Sequence, residues 1–403
     1  MGAAAPAPLT LAQAQQLALE RNTDVRVASA QAEVAVGQLR AAREFPNPTL
    51  SLSTAKIATD GSGNSTAAGN RFFDRSYDSI FALSQLVELG KRGPRQESFR
   101  ANQRAAEAQR DEMRRLVLQS VSQAYVTALE TSEESRVIAA SAASLRREAE
   151  LAAVRLSAGE IGTSDHAQIA IAAARLELDA AAAGKAATTA IVALEILLGE
   201  AAPTGTTKLV GTLGSIPLPA ESLADERPVG TRPDVAAAEA GLAKADADLM
   251  LQKRAPLPDL TLSAQFERNP PSQPNTAGLG VSFPLPLWNR NGGSIHAARA
   301  TRDSAQAQLD KARIQAAADV AAARLAFREA RVRASVYTEN LLPQSASVAK
   351  SVVYAYEHGG ASLLELLAAE RNDNEIRVAT ARAQADAASA AFALAAALNQ
   401  PAP

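Results

Sequence analysis

Between the turn Asn289-Arg290-Asn291-Gly292-Gly293 and the turn His358-Gly359-Gly360 the chain runs roughly 64 residues with no glycine and one proline, several times the span of an ordinary globular helix. The stretch Asn291 to Glu357 is rich in Ala, Gln, Arg and Lys. At 1.5 Å rise per residue such a helix is about 95 Å long. A sister rod exists: from Arg95 to Ser157 the chain again lacks glycine and proline, and it ends at Ala158-Gly159. The rest of the chain is read as what pairs, caps and anchors two rods.

Composition agrees. Apolar residues make up 47% of the 403 positions but aromatics only 4%, because alanine carries much of the apolar fraction. Alanine favours helix and lets helices approach closely, but it fills a thick core poorly. A net charge of −2 argues against nucleic acid, which wants a basic surface. With no cysteine, disulfides, thiolate metal sites and cysteine nucleophiles are excluded. The apolar stretches Ala186–Leu198 and Ala387–Leu398 are shorter than the ~20 residues of a membrane-spanning helix, and the first contains Glu195. A β-type span leaves a weaker signal and stays open. Met1-Gly2-Ala3 shows no basic or apolar signal region. The signal of an exported protein is therefore expected to have been removed.

In chain order, Thr10 to Arg43 predicts one helix with Thr10 as N-cap, stopping at Phe45-Pro46-Asn47-Pro48. Thr49-Leu50-Ser51-Leu52-Ser53 then alternates, as a strand with one apolar face does. A polar loop follows from Asp60, and a second strand places Phe81, Leu83, Val87 and Leu89 on one face. After the first rod and the turn Gly159 to Thr163, a return helix runs Ser164 to Leu198. Ala201 to Gly230 is rich in Pro, Gly and Thr, with one short strand candidate at Lys208–Leu213.

Then the first half begins again. Asp234-Val235 repeats Asp24-Val25, and Pro258-Asp259-Leu260-Thr261-Leu262-Ser263 echoes Pro48-Thr49-Leu50-Ser51-Leu52-Ser53 at an offset of 210. A third strand sets Leu260, Leu262, Ala264 and Phe266 opposite Thr261, Ser263, Gln265 and Glu267. A fourth runs through Leu279, Val281, Phe283, Leu285 and Leu287. Past the second rod, Gly359, Glu365 and Leu394 match Gly159, Asp165 and Leu194 at an offset of 200. The expected organisation is a first repeat over residues 1–200 (strands near 48–57 and 76–89, rod near 94–157). An insert at 201–230 separates it from a second repeat over 231–403 (strands near 258–268 and 277–287, rod near 293–357). Each strand is about long enough to cross a bilayer at a tilt. Four cannot close a barrel, and an open edge in lipid strands backbone groups, so membrane strands demand an oligomer. Pro284 and Pro286 fit the end of a strand, and Trp288 fits a membrane interface.

These residues resemble the outer membrane factor family, the TolC-like exit ducts of Gram-negative efflux systems. Thr231-Arg232-Pro233-Asp234 resembles the family's RPD motif. Leu342-Pro343-Gln344, Tyr356-Glu357-His358-Gly359 and Leu363-Leu364-Glu365-Leu366-Leu367 resemble its second-rod and tip signature. Glu88-Leu89-Gly90-Lys91-Arg92 and Pro284-Leu285-Pro286-Leu287-Trp288-Asn289-Arg290-Asn291 resemble the CzcC-like branch, which serves heavy-metal cation exporters. The resemblance implies a mainly α fold with a membrane β-barrel: a homotrimer pooling 12 strands into a barrel in outer-membrane lipid, with rods and return helices forming a periplasmic α-barrel. The 201–230 insert and the chain ends form a belt. The implied partners are a periplasmic adaptor (membrane fusion protein) and an inner-membrane RND-type pump that supplies the energy. No cofactor is implied. Relatives that carry a lipidated N-terminal cysteine differ here, so anchoring is expected to rest on the barrel alone.

The candidate residues follow. The tip turns Gly159, Glu160, Gly162, Thr163, His358, Gly359, Gly360 and Ser362 are expected to receive the adaptor. Asp165 and Glu365 are candidates for a carboxylate gate, since the resemblance implies a closed end lined by acids; the helix dipole alone also favours acids there. Phe72, Phe73 and Tyr77, with Trp288, are candidate membrane-interface residues, against simple loop packing. His166 and His358 stand beside the tips, but exposed turn residues outweigh a metal site, because a duct that binds its cargo tightly slows release. His296 is read as structural. Pro343 either kinks the rod inward or separates two shorter helices. No phosphate loop, HExxH or Ser–His–Asp arrangement is present, so a channel rather than an enzyme is expected. The rivals are an outlet for drugs or solvents and a soluble coiled-coil scaffold. The scaffold leaves the duplicated strands unexplained.

Overall fold

The computed structural model describes residues 8–55, 78–216, 232–268 and 274–400. In order these form α1 (Leu11–Arg21), α2 (Thr23–Arg43), β1 (Thr49–Ala55), β2 (Asp78–Val87), α3 (Arg92–Ser157) and α4 (Thr163–Leu197). The second half gives α5 (Pro233–Arg254), β3 (Leu260–Arg268), β4 (Thr276–Ser282), α6 (Gly292–Ser335), α7 (Leu342–Glu357) and α8 (Leu363–Ala397). The helix, strand, strand, rod, helix order of the two halves is therefore present. Two compact units share the chain. One takes Met1–Gln31, Ala108–Ala236 and Lys311–Pro403, and the other Ala32–Glu107 and Ala237–Asp310.

The first rod is one helix of 66 residues, about 100 Å. The second is not uniform: a π-helical segment, Val336–Leu341, joins α6 to α7, and the Leu342 N–H reaches back to the Tyr337 carbonyl. Pro343 follows at the start of α7. A proline cannot donate to the carbonyl four residues back, Glu339, and the wider turn absorbs that mismatch.

The expected single helix over Thr10–Arg43 is divided. Thr10 and Gln13 do form a capping box at the start of α1. At Asn22, however, the backbone leaves helical geometry. The Asn22 side chain accepts from the Asp24 and Val25 amides at 2.9 and 3.3 Å and donates to the Leu197 carbonyl at 2.9 Å. Asn22 thus starts α2 and caps the end of α4 at once. Its counterpart at offset 210, Arg232, works differently. It is 3% exposed and grips Asp234 (2.7 Å) and Asp319 (3.0 Å). Pro233 opens α5, where a missing N–H costs nothing.

The duplication extends to hydrogen bonds. Gly159 and Gly359 end their rods with φ of +77° and +75°. In each, the next residue's amide bonds the carbonyl five residues back: Glu160 to Arg155 at 2.9 Å, Gly360 to Ala355 at 2.7 Å. This Schellman closure needs a left-handed residue, which favours glycine. Gly199 (+81°) and Asn399 (+54°) repeat it after α4 and α8.

In the first unit, alanine and β-branched residues pack α1, α3, α4 and α8 around Val121, Tyr125, Leu194, Ala388 and Phe392. The predicted strand at Lys208–Leu213 reduces to one parallel bridge, Leu9 with Leu209, and the Tyr125 hydroxyl meets the Leu9 and Val210 carbonyls beside it at 2.9 and 2.6 Å. Glu195 is fully buried. It accepts from the Thr204, Gly205 and Thr207 amides and the Thr207 hydroxyl at 2.6, 2.7, 3.2 and 2.6 Å. Burial acts to raise its pKa, but these four bonds prevail and hold it below the usual carboxylate range.

The second unit holds one antiparallel sheet in the order β1-β2-β3-β4, so the two halves join through β2 and β3. The register lines up Leu50, Leu83, Ala264 and Leu279 in one row and Leu52, Phe81, Phe266 and Ala277 in the next. Opposed residues share a face, so one face is apolar and the other carries Ser51, Ser84, Ser263 and Gly280. The apolar face is exposed, with Leu279 at 91% and Leu50 at 64%. β4 stops at Ser282 rather than near residue 287, because Pro284 and Pro286 have no N–H to give a ladder.

Candidate functional site

The two rod ends lie together in the first unit. Leu145 and Ala152 of α3 and Ile169 and Ala173 of α4 form a cluster, against which Leu363 and Leu367 of α8 pack. The Arg155 guanidinium sits 5.9 Å from the centre of the Tyr356 ring, across the two hairpins. The turn residues Gly159, Glu160, Gly162, Thr163, His358, Gly359, Gly360 and Ser362 are all exposed. No heavy atom lies within 4 Å of a Cβ built on Gly159 or Gly359. The tips thus present small, open turns over an apolar cluster.

Glu365 has a local task. Its carboxylate accepts from the Ser362 amide (2.7 Å) and hydroxyl (2.8 Å), while the Ser362 oxygen accepts from the Glu365 amide (3.3 Å). This reciprocal cap explains one acid among four leucines. The Ser362 amide, then its hydroxyl, lower the Glu365 pKa below the ordinary carboxylate value. Asp165 occupies the matching third position of α4, but Gly162 has no side chain to complete a cap. Both acids are exposed at the first turn of their helices.

Behind the tips, α3 and α8 run antiparallel along a seam marked by Arg382–Glu134 at 2.7 Å and a Ser141–Asn374 hydrogen bond. Two acids absent from the sequence reading oppose each other there. Burial pushes the Glu370 carboxyl up, and Glu148 on α3 pushes it the same way. Nothing local marks such a pair, since one residue lies on the first rod and the other on the return helix α8, far apart in the chain.

His358 stacks on Tyr354, ring centres 4.1 Å apart, and its Nδ1 donates to the Tyr354 carbonyl at 2.8 Å. Among the described residues no group of three or more His, Cys, Asp or Glu could hold a metal, so His166 and His358 are not gathered into a ligand set. Trp288 is 93% exposed just past β4. Phe72, Phe73 and Tyr77 lie outside the described residues.

The two loop motifs fasten the strands to the helices in the second unit. Glu88 pairs with Arg95. Asp259 takes the Lys91 ammonium at 2.9 Å and the Leu89 amide at 3.2 Å. Arg92 lies 3.7 Å over the Phe45 ring and donates to the Arg43 carbonyl at 2.6 Å. Asn291, with φ of +60°, donates to the Gln252 carbonyl at 2.9 Å.

A duplicated pair of rods with a common tip, and strand hairpins forming one sheet whose apolar face is bare, define a TolC-like channel of the outer membrane that extends into the periplasm. The chain belongs to the family of outer membrane efflux proteins, whose description matches residues 14–200 and 229–400. It is 27% identical over 376 residues to the cobalt-zinc-cadmium resistance protein CzcC of Cupriavidus metallidurans, covering 93% of this chain and 86% of that one. It is 26% identical over 316 residues to the nickel-cobalt-cadmium resistance protein NccC of Alcaligenes xylosoxydans, covering 78% and 69%. The crystal structure of the Campylobacter jejuni CmeC outer membrane channel superposes with a TM-score of 0.79 at 20% identity, over 96% of this chain and 85% of that one. That likeness speaks for the fold alone.

Proposed function

We propose that three copies of this chain form the passive exit duct of a tripartite efflux system for heavy-metal cations such as cobalt, zinc, cadmium or nickel. The observation that carries the trimer is the sheet. Four strands leave β1 and β4 with one unpaired edge each and expose a continuous apolar face. In lipid, open edges leave backbone groups without partners. Three sheets joined edge to edge close a 12-stranded barrel with the apolar face outward, and Trp288 lies at its periplasmic border with the membrane. The resistance proteins named above support the metal cargo. An RND-type pump in the inner membrane supplies the energy, and a periplasmic adaptor docks on the exposed turns around Gly159 and Gly359.

Asp165 and Glu365 make the gate in this reading. Three copies bring six carboxylates to a narrow mouth, where like charges repel and cations concentrate. The test uses the purified protein in detergent and in planar bilayers. A trimer is expected, with cation block of the channel weakened by Glu365→Ala and Asp165→Ala, singly and together. A stable detergent-free monomer sinks the duct; wild-type block in all three variants removes the gate from these acids.

A further inference from the structure

A cavity of about 410 Å³ opens at the base of the sheet's β4 edge, where the chain past Ser282 has left β3. Its walls include Lys91, Leu257, Asp259, Pro284, Pro286 and Trp288. Lys91 and Asp259 neutralise each other at 2.9 Å. Much of the remaining wall is proline ring, leucine and indole, and the indole is 93% exposed. At the base of the opposite edge, just before β1, stands Phe45. Arg92 lies 3.7 Å over its ring, yet Phe45 is still 70% exposed. Within one chain the two edges lie three strand spacings apart, about 14 Å. Register sets them at one height. Thr49, Ser84, Ser263 and Gly280 form one row. Four residues nearer the helices, the row that begins at Phe45 ends at Pro284.

We propose that this cavity is a socket for the partner subunit's Phe45, so that each junction of the barrel closes with a Phe45 ring, carrying its Arg92, against Pro284, Pro286 and Trp288. This rests on the trimeric-duct reading, in which β4 of one copy pairs with β1 of the next. Closing a barrel tilts its strands and staggers the copies. Two limits bound that stagger. Slid one way, β4 runs off Thr49 onto Pro48, Pro46 and the end of helix α2 at Arg43, which offer no ladder. Slid the other way, β1 runs past Leu287 into the turn at Asn291, whose φ is +60°. With Thr49 anywhere between Gly280 and Leu287 of the neighbour, Phe45 faces the stretch from Pro284 to Asn291, which is the cavity wall. An aromatic pair adds about two- to ten-fold to the stability of each junction.

The experiment places the photo-crosslinker benzoylphenylalanine, itself aromatic, at position 45 of the full chain and irradiates the protein purified in detergent. A denaturing gel is expected to show covalently joined chains, with the crosslinked peptide falling within residues 284–291. The sequence has no cysteine, so Phe45→Cys combined in turn with Pro284→Cys, Pro286→Cys and Trp288→Cys gives a second reading. Oxidation should join chains through at least one of these pairs, and this remains informative if the crosslinker blocks assembly. Phe45→Ala and Trp288→Ala should each weaken the trimer about two- to ten-fold per junction, read as dissociation in rising denaturant. Intact trimers whose crosslinks from position 45 fall outside residues 284–291, trimers that no cysteine pair joins, or unchanged dissociation in both alanine variants overturn the proposal while the duct stands. A wild-type chain that stays monomeric in detergent overturns the duct reading and this proposal with it.

Discussion

Replacing Glu195 is expected to release the segment that follows α4. Its carboxylate accepts four hydrogen bonds from Thr204, Gly205 and Thr207 while fully buried. Leaving a buried donor unpaired costs about 1–3 kcal/mol each, but Thr204 is exposed and water reaches part of the site. Glu195→Ala is therefore worth about 3–5 kcal/mol of local stability rather than the full sum. Glu195→Gln keeps one acceptor but turns an NH2 toward the same amides, and we expect about 2–4 kcal/mol. At 1.4 kcal/mol per tenfold, amide exchange at Thr204, Gly205 and Thr207 speeds up by roughly a hundred-fold in Glu195→Gln and approaches a thousand-fold in Glu195→Ala. Because the folded pKa of Glu195 is lowered, its contribution is present above the unfolded value near 4.3 and is lost as pH falls through the folded one. The segment should thus loosen progressively in the wild type as pH falls below about 4.3, and Glu195→Gln should lose that acid dependence. Hydrogen exchange of the detergent-solubilised protein, from about pH 3 to 7, reads both effects. Wild-type protection of these amides in Glu195→Gln at neutral pH would refute the argument.

Arg232→Ala strands Asp234 beside Asp319, and we expect about 3 kcal/mol of lost protection at the start of α5, with Arg232→Lys restoring less than half because an ammonium cannot fork; exchange at the Val235 amide checks it, and unchanged exchange in Arg232→Ala counts against a structural role. Two left-handed glycines should respond differently to alanine. A Cβ on Gly199 meets the Arg21 carbonyl oxygen at 2.7 Å, whereas on Gly359 it meets nothing within 4 Å. Gly359→Ala should cost only the backbone strain of about 1–2 kcal/mol and still assemble, while Gly199→Ala loses most membrane-inserted protein. Equal yields of the two variants would show that the contact with Arg21 does not matter.

Much of this molecule is legible because its signals are local. A long run without glycine or proline can only be a rod, and alternation at Leu50-Ser51-Leu52 or Leu260-Thr261-Leu262 can only be a two-faced strand. The caps at Thr10–Gln13 and the closures at Gly159 and Gly359 involve partners within a turn of each other, so residue type and spacing announce them. The break at Asn22 did not announce itself, because its reason lies at the Leu197 carbonyl. Glu195 looked only like a flaw in an apolar stretch; that it holds Thr204 to Thr207 depends on how α4 and the following loop fold back on one another. The face opposite Glu148 depends on how α3 packs on α8. Residue order alone determined that the rods, their return helices and the four strands exist, and that the whole is made twice, since backbone preference is settled by neighbours a few residues away. Only the tertiary structure decided that β2 pairs with β3 and that the two tips share one apolar cluster, because those facts rest on contacts between residues far apart in the chain, which no local pattern encodes.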